Sequence, residues 1–87
     1  METVINDYIS RELVRDPARL PLADDTSLLE SGILESLSLL RLVVFLEERF
    51  GIPVGDRDLL PENFGSVNAI CSYLRGREPG KVGAAHG

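Results

Sequence analysis

Apolar positions in the first fifteen residues fall three and four apart. Val4, Ile5, Tyr8, Ile9 and Leu13 alternate with Glu2, Asp7, Arg11, Glu12 and Arg15. That spacing lays the apolar side chains along one stripe and predicts a helix over residues 2–15. Asp16-Pro17 stops it, because proline disfavours helical geometry in the residue before it. Residues 17–35 hold two prolines and a glycine but also Leu20, Leu22, Leu28, Leu29, Ile33 and Leu34. So many aliphatics imply a loop tied down on the core. Within it, "DDTSLLESG" admits a short helical turn capped by Asp25 or Thr26.

The second helix is predicted over 36–50, with Leu39, Leu42, Val43, Leu46 and Phe50 as its core face. Gly51 supplies the C-terminal stop and Pro53 prevents continuation. Leu37, Leu40 and Val44 widen the apolar surface beyond one stripe. Either this central helix is buried on most sides, or those three residues are exposed and meet a partner. Periodicity alone tips slightly towards burial.

Residues 56–60, "DRDLL", predict a short helical turn ended by Pro61. Phe64 follows as an anchor and Ser66 as a candidate N-cap. The last helix then runs from Val67 to about Arg75, with Val67, Ile70, Cys71 and Leu74 facing inward. The stretch "GREPGKVGAAHG" is weakly hydrophobic and rich in glycine, and reads as a disordered tail. The expected organisation is a domain over 1–75 and a tail over 76–87. Without any alternating strand pattern, the fold class is all-α. It is a small antiparallel four-helix bundle, three main helices and one short, with a long loop between the first and second. A loop of that length in so small a domain tends to be functional.

Composition narrows the picture. Eighty-seven residues, 44% apolar, suffice for one modest core but leave no room for a large enzyme cleft. A single cysteine, Cys71, excludes an intramolecular disulfide and fits a cytoplasmic setting. It falls in an apolar stretch, as a small buried hydrophobe would. One cysteine and one histidine argue against structural zinc. No signal peptide is apparent, and Leu37–Leu46 is too short to span a membrane. A net charge of −5 disfavours nucleic acid as a ligand. Asp24, Asp25, Glu30 and Glu35 lead up to Ser36 without a basic residue, whereas Arg41 and Arg49 balance Glu47 and Glu48 beyond it.

Intrinsic catalysis finds little support. Ser36 has no base within its domain, because the lone histidine, His86, belongs to the expected tail. Gly32 and Gly51 are isolated, so no phosphate-cradling loop is formed. A hydroxyl at a helix N-terminus is nevertheless accessible, and free N–H groups there tolerate a phosphate. On these residues alone, a serine that only caps the helix is the commoner outcome. The capping box is incomplete, since Leu39 stands where its glutamate belongs.

The ordered elements around Ser36 add more. "SLLESGILESLSLLRLVVFLEERFGI" followed by "DLLPENFGSVNAICSYL" resembles carrier proteins of the acyl carrier and peptidyl carrier superfamily, from about Tyr8 through Leu74. The matching positions are Gly32, Ile33, Leu34, Glu35, Ser36 and Leu37, then Glu47, Glu48, Phe50 and Gly51, then Asn63, Phe64 and the last helix. The resemblance implies that Ser36 is esterified by 4′-phosphopantetheine, transferred from coenzyme A by a magnesium-dependent phosphopantetheinyl transferase that recognises Glu35 and Leu37. The arm's thiol then carries an acyl or aminoacyl group as a thioester. Leu37, Leu40, Arg41, Val44, Glu47 and Glu48 match positions that meet partners, which turns the balance towards exposure of Leu37, Leu40 and Val44.

Further expectations follow from the same likeness. The protein is a non-catalytic, freestanding monomer without metal, nucleic-acid or membrane partners. It is loaded by an adenylating ligase or acyltransferase and serves a downstream synthase or transferase of polyketide, non-ribosomal peptide or related biosynthesis. Two departures stand out. Glu35 replaces the usual aspartate, moving the carboxylate one methylene outward. The second helix also lacks the net acidity of fatty-acid carriers, so partners with basic docking patches should bind it less well. The alternative is a helical interaction module in which Ser36 is only an N-cap.

Overall fold

The computed structural model describes residues 1–77, and all regular structure among them is helical. The first helix, α1, spans Glu2–Tyr8 and continues as a π-helical turn over Ile9–Leu13, closed by the Val14 N–H donating to the Ile9 carbonyl. It ends before the predicted residue 15. Asp16 must be extended ahead of Pro17, and its carboxylate accepts the Ala18 N–H (3.0 Å) to cap a separate 3-10 turn, Pro17–Arg19. The chain therefore leaves the helix at Val14, which is already extended.

The long connection to α2 is pinned as expected. Leu22, Leu28, Ile33 and Leu34 are buried. The Asn6 side-chain amide donates to the Leu22 carbonyl (2.7 Å) and to Asp24 (2.8 Å). The Leu28 N–H reaches the Gly65 carbonyl, and the Asn68 N–H the Asp24 carbonyl. These bonds satisfy backbone groups that a buried loop would otherwise leave unpaired. The expected helical turn in "DDTSLLESG" is instead a run of turns. Ser27, not Asp25 or Thr26, makes the capping bond, its hydroxyl accepting the Glu30 N–H (3.1 Å). Gly32 supplies a positive φ of 80° there, a conformation that side chains disfavour.

Helix α2 spans Ser36–Phe50 and stops at Gly51, whose left-handed backbone (φ 67°) brings its N–H to the Glu47 carbonyl. A 3-10 turn over Asp56–Asp58 comes next. Pro61, expected only to end that turn, also opens a one-turn helix, α3, over Pro61–Phe64. Proline suits the first helical position, where its missing N–H costs nothing. Phe64 is buried as the expected anchor.

Helix α4 spans Val67–Arg77, and the Ser66 hydroxyl accepts the Ala69 N–H (3.1 Å) at its start. It runs two residues beyond Arg75, so the expected tail at Gly76 and Arg77 is helical. The rest of that tail, with His86, lies outside the described residues. Val67, Ile70, Cys71 and Leu74 pack against Ile5, Ile9, Leu42 and Leu46 in one core. Burial pushes the Cys71 thiol up, away from the reactive thiolate. At the edge of the core the Tyr73 hydroxyl donates to Asp58 (2.7 Å). Burial and that bond together raise the phenol to about 12. Arg75 grips both carboxylate oxygens of Glu2 (2.8 and 2.7 Å), tying α4 to α1.

Candidate functional site

The site is the N-terminal turn of α2 and the row of side chains running down from it. Glu35 is extended (φ −128°, ψ −176°), and its carbonyl accepts the Leu39 N–H (2.8 Å), the first bond of the helix. Glu35 therefore occupies the N-cap position, although its side chain caps nothing. Ser36 is the first helical residue and not the cap. Its side chain is exposed, and among the described residues its hydroxyl has no hydrogen-bond partner. The free N–H groups of this turn face the same end of the helix. An accessible nucleophilic oxygen thus sits where a phosphate is electrostatically tolerated.

Residues four apart share a row on a helix, so Ser36, Leu40 and Val44 are aligned, with Leu37 beside them. Leu37 is 65% exposed, Leu40 57% and Val44 53%. Leu42 and Leu46, on the opposite side, have no accessible surface. The exposure reading of the three apolar residues therefore holds. Leu40 and Val44 also line an open groove of about 340 Å³ with Tyr8 and Arg41. Tyr8 stacks on Phe45, ring centroids 4.0 Å apart, so α1 supplies one wall of that groove. Nothing in the apolar spacing of α1 marks Tyr8 as a surface residue, because it lies within the stripe that supplies Ile5 and Ile9 to the core.

The charged residues expected at the partner face divide. Arg41 reaches across to the Glu12 carbonyl (3.3 Å) and carboxylate (3.4 Å), a largely exposed arrangement that leaves the guanidinium available. Glu48 is exposed. Glu47 turns inward, its carboxylate accepting the Val54 N–H (2.8 Å), and so anchors the segment after α2. On the other side of the turn, Glu35 and Ser38 line an open cleft of about 230 Å³ together with Arg15 and Arg19.

Such a helical domain, holding a bare serine hydroxyl at a helix start above an exposed apolar row, defines a presenting protein. The comparisons with known proteins identify the family. A profile described as phosphopantetheine attachment site matches residues 4–74, and the chain belongs to that family. Its members carry a covalently attached 4′-phosphopantetheine group and work with phosphopantetheinyl transferases and partner enzymes. The chain is also similar to one in a solved structure described as the crystal structure of an FAD-dependent dehydrogenase. The TM-score is 0.73 at 29% identity, covering 79% of this chain and 96% of that one. A search of curated proteins finds no match. Among the described residues no helix is long and apolar enough to cross a membrane, and no cluster of side chains is arranged to hold a metal.

Proposed function

We propose that 4′-phosphopantetheine is attached to Ser36, and that the protein presents a thioester-bound acyl or aminoacyl intermediate to enzymes of natural-product biosynthesis. The observation that carries this reading is the exposed, unpartnered Ser36 hydroxyl at the first residue of α2, in a chain whose family bears that arm. The bound group supplies the thiol. This chain's residues supply the attachment oxygen, its electrostatic setting and the surface that partners read. No catalytic step is assigned to the protein itself.

Glu35 and Leu37 flank the hydroxyl, and both are exposed for recognition by the transferase. Leu37, Leu40 and Val44 form the docking row, with Arg41 and Glu48 setting its charge. The loading enzyme is an adenylating ligase or an acyltransferase. A flavin-dependent dehydrogenase acting on the carried group joins the downstream synthase or transferase as a candidate partner, because the similar solved structure is described as one.

The deciding experiment is incubation with coenzyme A, magnesium and a broad-specificity phosphopantetheinyl transferase. Intact mass is expected to rise by one arm in the wild type and to stay unchanged in Ser36→Ala. An unchanged wild-type mass, or a modified Ser36→Ala chain, contradicts the assignment.

A further inference from the structure

The cleft beside the N-terminal turn of α2 is built from two walls. Arg15, Asp16 and Arg19, just after α1, form one; Ser31, Glu35 and Ser38 form the other. The cap on Pro17–Arg19 fixes the first wall as a tight turn and commits the Asp16 carboxylate to the Ala18 N–H. Ser31 is likewise engaged locally, its hydroxyl donating to the Leu28 carbonyl (3.3 Å).

The two arginines are not engaged. Arg11, Arg41, Arg75 and Arg77 each meet a carboxylate, and Arg49 lies over the Phe50 ring. Arg15 and Arg19 are exposed, and among the described residues neither guanidinium has a hydrogen-bond or ion-pair partner. Two like charges directed at one cleft repel each other until an anion joins them. Glu35 offsets part of that charge without bonding to either arginine.

The nearest anion is defined by the attachment chemistry. Glu35 and Ser38, the α2 wall of the cleft, bracket Ser36 in sequence. An arm on Ser36 begins with a phosphodiester, a single negative charge spread over two unbridged oxygens, which the guanidinium fork matches well. The Ser36 side chain belongs to the Leu40–Val44 row and not to the cleft wall. The phosphate is therefore met at the N-terminal tip of the helix, by side chains long and flexible enough to reach over it.

We propose that Arg15 and Arg19 hold the phosphodiester of the 4′-phosphopantetheine arm across the N-terminal tip of α2. The inference rests on attachment at Ser36. It makes the turn after α1 part of the arm's mooring, narrowing the directions in which the arm leaves the protein while its thiol end stays free.

The test uses the full chain, ¹⁵N-labelled, before and after enzymatic modification, with intact mass first establishing one arm per molecule. The Nε–Hε resonances of Arg15 and Arg19 are expected to shift on modification, while that of Arg57, exposed on the Asp56–Asp58 turn, stays in place. Raising salt from about 0.05 to about 0.5 M should return both towards their unmodified positions, since exposed ion pairs are screened. The ³¹P resonance of the arm should move between wild type and the Arg15→Gln/Arg19→Gln chain. Unmoved arginine resonances in a chain whose mass shows the arm overturn the proposal, as do shifts indifferent to salt. A wild-type mass that fails to rise overturns the attachment at Ser36 instead, which separates the two failures.

Discussion

Helix α2 has two faces made of the same kind of residue with opposite fates. Leu42 and Leu46 have no accessible surface, whereas Leu37, Leu40 and Val44 keep more than half of theirs. Burial of a leucine contributes on the order of 2 kcal/mol, so folding gains little from three aliphatics left in water. The inner face holds the bundle together. The outer face is apolar surface in excess of what the core uses, placed in line with Ser36, and such surface marks a meeting place for other proteins. The paired glutamates at the end of the helix repeat the contrast. Glu47 is spent on the Val54 N–H, and Glu48 is left to solvent.

The largest effect that tests this contrast is expected inside. Leu46→Ala should cost about 2–5 kcal/mol, read as a lower denaturant midpoint at unchanged m-value. For a domain this small, that is a large share of total stability. A loss below about 1 kcal/mol would show that the inner face is not where the bundle is held. Next in size, Glu47→Ala should cost about 1 kcal/mol by leaving the half-buried Val54 N–H without its acceptor. Glu48→Ala should fall within about 0.5 kcal/mol of wild type. Equal losses at the two positions would erase the distinction between them.

The smallest change in stability is expected outside. Leu40→Asp and Val44→Asp should unfold within about 0.5 kcal/mol of wild type. Transfer of a carried group by a partner should nevertheless slow in both, measured by mass of the loaded chain over time. Loss of helical content would return these positions to the core. Arg41→Glu should change which partner is served more than it changes stability, because it places a second carboxylate opposite Glu12 at an exposed site.

A separate expectation concerns pH. The Tyr73 phenol is raised from 10.0 to about 12, so between those values the folded chain keeps a proton that the unfolded chain releases. Stability should therefore fall as pH rises through that window, and the slope should shrink in Tyr73→Phe.

Much of this was legible in the residues, where the signal is local. The limits of α2 follow from Gly51 and Pro53, the start of α4 from Ser66, and the pinned loop from its aliphatics. What escaped depends on contacts across the chain or on one residue serving two ends. Pro61 both stops a turn and opens a helix, so reading it as a stop concealed α3. Ser27 was passed over as a cap because Asp25 and Thr26 carry the same chemistry one and two residues away. The inward turn of Glu47 requires the chain to double back at Gly51, and nothing distinguishes it from Glu48 in a run of two glutamates. At the site, Ser36 stood out in the ordering of its neighbours, but its hydrogen-bond freedom depends on Glu35 taking the cap position. Burial or exposure of Leu40 was open for the same reason: periodicity ranks the faces of a helix but does not say how many are covered.

The Glu2–Arg75 clasp joins residues from the two outermost helices. A segment whose entrance and exit lie side by side can be spliced into a host protein at a single point without prising either apart. By the same geometry, a short linker from Arg77 to Glu2, with a new opening at an exposed position such as Asp25, should give a circular permutant that still folds. The carrier is in this sense a cassette, closed at its seam by one arginine.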